Sequence, residues 1–151
     1  MHLQGVTEEG IVNHFEKLMS NWEQVLNADT ELSERNQSPY SSLDGKAAIQ
    51  LKVGRQPAYS VHVREGKFSI RKAAADKPLL SWQVPGDVFK DVLLGRHRLI
   101  FSILDPAAKL SFDSANFTHW NGATIIEMLL LAHEMTAKDG EISKLVEGLE
   151  C

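Results

Sequence analysis

The sequence predicts an α+β fold: a mostly antiparallel five-stranded sheet covered on one face by helices. Three observations carry that prediction. An amphipathic stripe at three- and four-residue steps lies near the start of the chain. Four alternating segments follow between Ala47 and Val84. After Pro85-Gly86 the apolar spacing returns to a helical period.

Glu8 to Leu26 carries the first stripe: Ile11, Val12, Phe15, Leu18, Met19, Trp22, Val25 and Leu26. Its polar side holds few lysines, so the stripe is expected to pack on a sheet and not on a membrane surface. Thr7 is read as the N-cap and Gly10 as a weak spot in the first turn. Residues 28–44 form a polar linker containing Pro39, relieved by a short helical turn near Glu31 to Arg35.

The strand candidates alternate cleanly. Ala47, Ile49, Leu51 and Val53 share one face, as do Tyr59, Val61 and Val63. Glu65-Gly66 supplies a turn before Phe68 and Ile70. Leu80, Trp82 and Val84 form the fourth strand. Period two with one apolar face implies a sheet covered on one side. Asp87 is read as the cap of a helix carrying Val88, Phe89, Val92, Leu93 and Leu94, closed by Gly95. Leu99 to Leu104 forms a second short helix, ended by Asp105-Pro106. Leu110 and Phe112 make a fifth strand, which Phe117 to Trp120 extends past a kink. Thr124 to Lys138 is the last strong helix and is apolar nearly all round. The segment 138–151 is a tail with a weaker helical turn from Glu141 to Leu149. The 151 residues thus fit one domain: helix 1–27, linker 28–44, sheet and later helices 45–137, and tail.

Composition narrows the function. Net charge is −4, which disfavours a nucleic-acid partner. Arg96, His97 and Arg98 form a basic cluster too small for a polyanion and read as a solvated helix edge. Cys151 is the sole cysteine, in keeping with a reducing, cytoplasmic setting. The N-terminus has no signal-like pattern, and the run from Ile125 to Ala132 is too short to span a bilayer, so no integral membrane segment is expected.

Catalytic signatures are absent. There is no glycine-rich phosphate loop and no nucleophile elbow. His133-Glu134 starts like a zinc-protease motif, but Ala137 stands where the second histidine belongs. The six histidines show no ligand spacing, so neither a metal nor a cofactor is expected. Asp113 and His119 are the sole candidates for a catalytic pair, and the chain is read as non-enzymatic. Asn116, His119 and Trp120 could also orient a ligand head group.

The element order, with certain local patterns, resembles the sterol carrier protein type 2 family. Leu51 to Val63 followed by Arg64-Glu65-Gly66-Lys67-Phe68-Ser69-Ile70 resembles that family's strand, glycine turn and strand. Asp87 to Arg96 looks like its acidic, apolar, then Gly-Lys helix. Ala108-Lys109-Leu110-Ser111-Phe112 resembles its Gly-Lys-Leu-x-Ile strand. The likeness covers about residues 10–137. Ala108 stands where the family usually has Gly, and Asp113 to Gly122 exceeds its usual link into the last helix.

The resemblance implies an apolar tunnel between the sheet and the later helices, open to fatty acids, acyl-CoA, phospholipid or sterol. Its expected lining is Phe89, Val92, Leu93, Leu99, Ile100, Ile103, Leu104, Phe112, Phe117, Trp120, Ile126, Leu129 and Leu130. The helices hold more large apolar side chains than one sheet face covers, so the surplus lines a cavity, meets a partner or fills a tight core. The expected partner is therefore a lipid or other apolar small molecule. The alternative is an accessory module whose apolar surface meets another protein or an identical chain.

Overall fold

A computed structural model describes residues 8–37, 46–103, 105–113, 115, 117 and 119–149, with the side chains of 8–13, 33, 35–37, 100 and 119–121 outside that description. Thr7, Pro39, Leu104 and Asn116 lie outside the described residues. So do the side chains of Ile11, Val12, Ile100, His119 and Trp120.

The chain runs α1 (Glu8–Ala28), α2 (Thr30–Gln37), β1 (Lys46–Val53), β2 (Tyr59–Arg64), β3 (Lys67–Arg71), β4 (Leu80–Val84), α3 (Gly86–Leu93), α4 (Leu99–Ile103), β5 (Lys109–Phe112), α5 (His119–Lys138) and α6 (Gly140–Glu147). The five strands form one sheet in the order β3-β2-β1-β4-β5. Three ladders are antiparallel, and β1 pairs with β4 in parallel, from Ile49 opposite Leu80 to Val53 opposite Val84. The sheet is therefore mixed. Alternation reports which face a side chain takes, not the direction of its strand, so the parallel pair left no mark in the pattern.

The crossover into β4 runs over the polar face. There Gln50, with Ser60 and Ser81 as its neighbours in register, accepts a hydrogen bond from the Ala75 amide through Oε1 at 2.9 Å. On the other face Ile49, Leu51, Val53, Val61, Trp82 and Val84 are almost fully buried. The β2–β3 turn needs positive φ at both centres, 53° at Glu65 and 77° at Gly66, which matches a type I′ hairpin.

Helices cover the apolar face. Phe15 of α1 meets the rings of Tyr59 and Phe89, at centroid distances of 5.4 and 6.1 Å. Asn27 guards the open edge of β3: its side-chain amide donates to the Phe68 carbonyl and accepts from the Phe68 N–H, both at 2.9 Å. Glu23 takes the next free donor, the Ile70 N–H, at 2.7 Å. The unpaired edge is thereby satisfied by one helix.

Several boundaries differ from the sequence reading. Residues 30–37 of the linker form a full helix, capped by Asp29, whose Oδ1 accepts from the Leu32 N–H at 2.8 Å. The tail forms α6, capped by Asp139, which accepts from the amides of Glu141 and Ile142. Lys90 reaches from α3 to donate to the carbonyls of Glu147 and Leu149 at the end of α6. Asp87 does not cap α3. Pro85 holds the N-cap position without a side-chain bond, and Asp87 sits in the first turn, where its charge still favours the helix start. Residues 119 and 120 open α5 instead of prolonging β5. Short apolar runs suit either element, and here the longer helix wins.

Candidate functional site

β5 lies at the sheet edge next to β4, and its four residues are exposed. Leu110 pairs with Trp82 and Phe112 with Leu80, so both apolar side chains of β5 share the helix-covered face. The helices do not close over them. Phe112 is 56% exposed and Leu110 38%. Opposite, α5 turns Ile126 and Leu130 outward at 39% and 44% exposure.

Two apolar cavities result. The first, about 420 Å³, lies between α5 and the α3–α4 junction and is lined by Val92, Gly95, His97, Arg98, Leu99, Ile103, Ile126, Leu129, Leu130 and His133. The second, about 580 Å³, lies between α5 and the β4–β5 edge and is lined by Leu80, Trp82, Ile103, Leu110, Phe112, Phe117, Gly122, Ala123, Ile125, Ile126 and Leu129. Ile103, Ile126 and Leu129 line both, so the two are adjoining lobes of one open-sided groove. Each lobe falls within the usual size range of ligand pockets.

The α3–α4 junction follows from local sequence. Gly95 takes φ +76°, and the N–H groups of Gly95 and Arg96 bond back to the carbonyls of Val92 and Asp91 at 3.1 and 2.8 Å. This Schellman closure stops α3 and turns the chain into the basic cluster. His133 packs on the same turn, its Nδ1 3.1 Å from the Leu93 carbonyl. That carbonyl only accepts, so Nδ1 carries the proton. At the far end, the Phe117 ring packs at a tilt of 45° against that of Phe112, with centroids 5.3 Å apart, and a Cβ on Gly122 would come within 3.1 Å of the Phe117 ring. Phe117 and Gly122 thus supply a wall of the second lobe.

Of the expected lining residues, Val92, Leu99, Ile103, Phe112, Phe117, Ile126, Leu129 and Leu130 line one lobe or both. Phe89 and Leu93 line neither. Both are buried in the core, where Phe89 meets Trp82 at 6.2 Å. The side chains of Ile100, Leu104 and Trp120 lie outside the described residues. So does the side chain of His119, and with it the geometry expected of the Asp113–His119 pair.

Sequence reasoning missed Trp82, Leu80 and Leu110, whose alternation marked the correct face but not their place at the uncovered end of the sheet. His97 and Arg98 are exposed, in keeping with the solvated edge expected of the basic cluster, and they also border the first lobe with His133. Among the described residues no group of three or more metal-ligating side chains gathers. The buried indole Nε1 of Trp82 has no hydrogen-bond partner there.

No protein-family model matches the chain, and no curated relative matches it significantly. Solved structures do resemble it. The sterol carrier protein domain 2 of Helicoverpa armigera superimposes with a TM-score of 0.58 at 14% identity, covering 87% of this chain and 95% of that one. A conserved hypothetical protein of Thermus thermophilus, described as possibly a sterol carrier protein, gives 0.55 at 13% identity, covering 80% and 87%. UbiJ-SCP2, a ubiquinone synthesis protein, gives 0.52 at 17% identity, covering 78% and 98%. The chain therefore has the sterol carrier protein type 2 fold, an α+β arrangement with a mixed sheet. Among the described residues no helix is long and apolar enough to cross a membrane.

Proposed function

We propose that this protein binds or carries a lipid or similar apolar molecule in the groove between α5 and the β4–β5 edge, without catalysing a reaction. The observation that carries the reading is the pair of adjoining lobes, whose walls are mostly apolar, with Arg98, His97 and His133 at one end. Each methylene moved from water into such walls contributes about 0.8 kcal/mol, so an acyl or prenyl chain binds there without specific hydrogen bonds. The fold supports the reading, since two of the similar structures are described as sterol carriers or possible ones. A cytoplasmic place of work belongs to the same proposal, supported by the lone cysteine.

Native mass spectrometry of gently purified protein, followed by titration of the delipidated chain with a fluorescent fatty acid, tests this. The expected result is one apolar molecule per chain. The absence of both co-purified lipid and saturable uptake would refute it.

A second reading rests on the exposed apolar side chains around the groove, with Phe101 at 57% and Phe112 at 56%. In that case the same surface meets a protein partner or a second copy, as an accessory module. Light scattering across a concentration series separates the two, because self-association buries the groove and competes with lipid.

A further inference from the structure

We propose that the lobe beside α3 and α4 holds the head group of a single-chain amphiphile bearing one negative charge, paired with Arg98, while the chain lies in the lobe under β5. This deepens the apolar-ligand reading and rests on it.

The two lobes differ in charge. Among the described residues the β5 lobe has no charged side chain in its lining. Among the described residues the α3–α4 lobe has Arg98, His97 and His133, and no acidic group. Its basic groups are not equally available. Arg96, next to the lobe, faces Asp91 at 3.7 Å. His133 is tied to the Leu93 carbonyl, and His97 lies against the Phe101 ring at 6.5 Å. Arg98 makes no ion pair among the described residues, and its guanidinium is a permanent positive charge. Among the described residues, an unpaired cation at one end and apolar walls at the other make the groove complementary to a carboxylate-headed chain.

The opposite orientation would set an acceptor on the indole N–H of Trp82 in the β5 lobe. That nitrogen is enclosed by protein and out of a ligand's reach. Arg98 is exposed at the groove mouth, where a head group keeps part of its water. Ile126, which separates the lobes, is 39% exposed, so a chain passes from one to the other along the open side.

Competitive binding of dodecanoate and 1-dodecanol at pH 8 tests the head-group site. The native chain is expected to prefer dodecanoate about fivefold, the scale of a solvent-exposed ion pair, and less at high salt. Arg98→Met should abolish the preference by weakening dodecanoate relative to dodecanol, and its exposed position makes a folding defect unexpected. Equal binding of both by the native chain, or a preference surviving in Arg98→Met, would overturn the head-group site but leave apolar binding standing. Failure of both to bind would overturn the two readings together. Spin-labelled stearates test the orientation. The 16-doxyl label should broaden the Trp82 indole N–H resonance, and the 5-doxyl label the Leu99 amide. The reverse pattern would refute the orientation.

Discussion

The indole N–H of Trp22 in α1 donates to the main-chain carbonyl of Met128 in α5 at 2.9 Å, wholly within the core. This bond ties the first helix to the helix that forms the groove wall, across 106 positions of sequence. Met128 sits between Ile126 and Leu129, two of the three residues shared by both lobes. The depth of the groove thus depends on an anchor on the other side of α5.

Trp22→Phe keeps most of the apolar volume and removes the donor. It is expected to cost about 2–3 kcal/mol, from the lost bond plus a small void. Urea denaturation measures the loss. The same variant should bind an apolar probe more weakly, because α5 is less firmly placed.

Gly95 holds a left-handed turn at the groove mouth. In Gly95→Ala the new Cβ meets His133 Cε1 at 3.1 Å, on top of the strain of φ +76°. A cost of about 1–2 kcal/mol is expected from the backbone alone. Thermal unfolding would show it as a lowered Tm.

Ile126→Asp tests the groove without emptying the core, since Ile126 is partly exposed. A carboxylate between the two lobes forces a buried acyl chain against a hydrated charge. Affinity for dodecanol should fall at least about tenfold, corresponding to 1.4 kcal/mol, while stability changes little. Unchanged affinity would place the ligand elsewhere.

Tyr59 links stability to alkaline pH. Burial of its hydroxyl, with the nearby Glu16 charge adding to it, pushes its pKa up to about 12 from 10.0. The raised value favours the neutral phenol in the folded state. Its contribution is full below pH 10 and is lost as pH rises through about 12. The hydroxyl also has no hydrogen-bond partner among the described residues. Tyr59→Phe should therefore cost little at pH 7 and flatten the loss of stability above pH 10, as read by denaturation at stepped pH. His62 acts at the other end. Burial, and then the Arg71 charge, hold its pKa below the usual histidine value. Its contribution is present above the ordinary imidazole range and fades as pH falls through the lowered value.

The strand faces, the amphipathic first helix and the apolar closing helix were legible from residue spacing alone. Burial selects side chains at period 2 or 3.6, and that selection is written along the chain. The Glu65-Gly66 and Gly95 turns were legible too, because few residues tolerate positive φ. The parallel pairing of β1 with β4 was not, since strand direction leaves the alternation unchanged. Nor was the division of labour on α3, where Phe89, Val92 and Leu93 all join the core and only Val92 also borders the groove. All three are apolar, and only packing against α5 and the sheet separates them. The meeting of Arg98 with Ile126 and Leu130 around one lobe likewise needed the tertiary structure. Their positions lie about 30 residues apart in sequence. No local rule links them until the chain turns at Gly95 and α5 returns across the sheet.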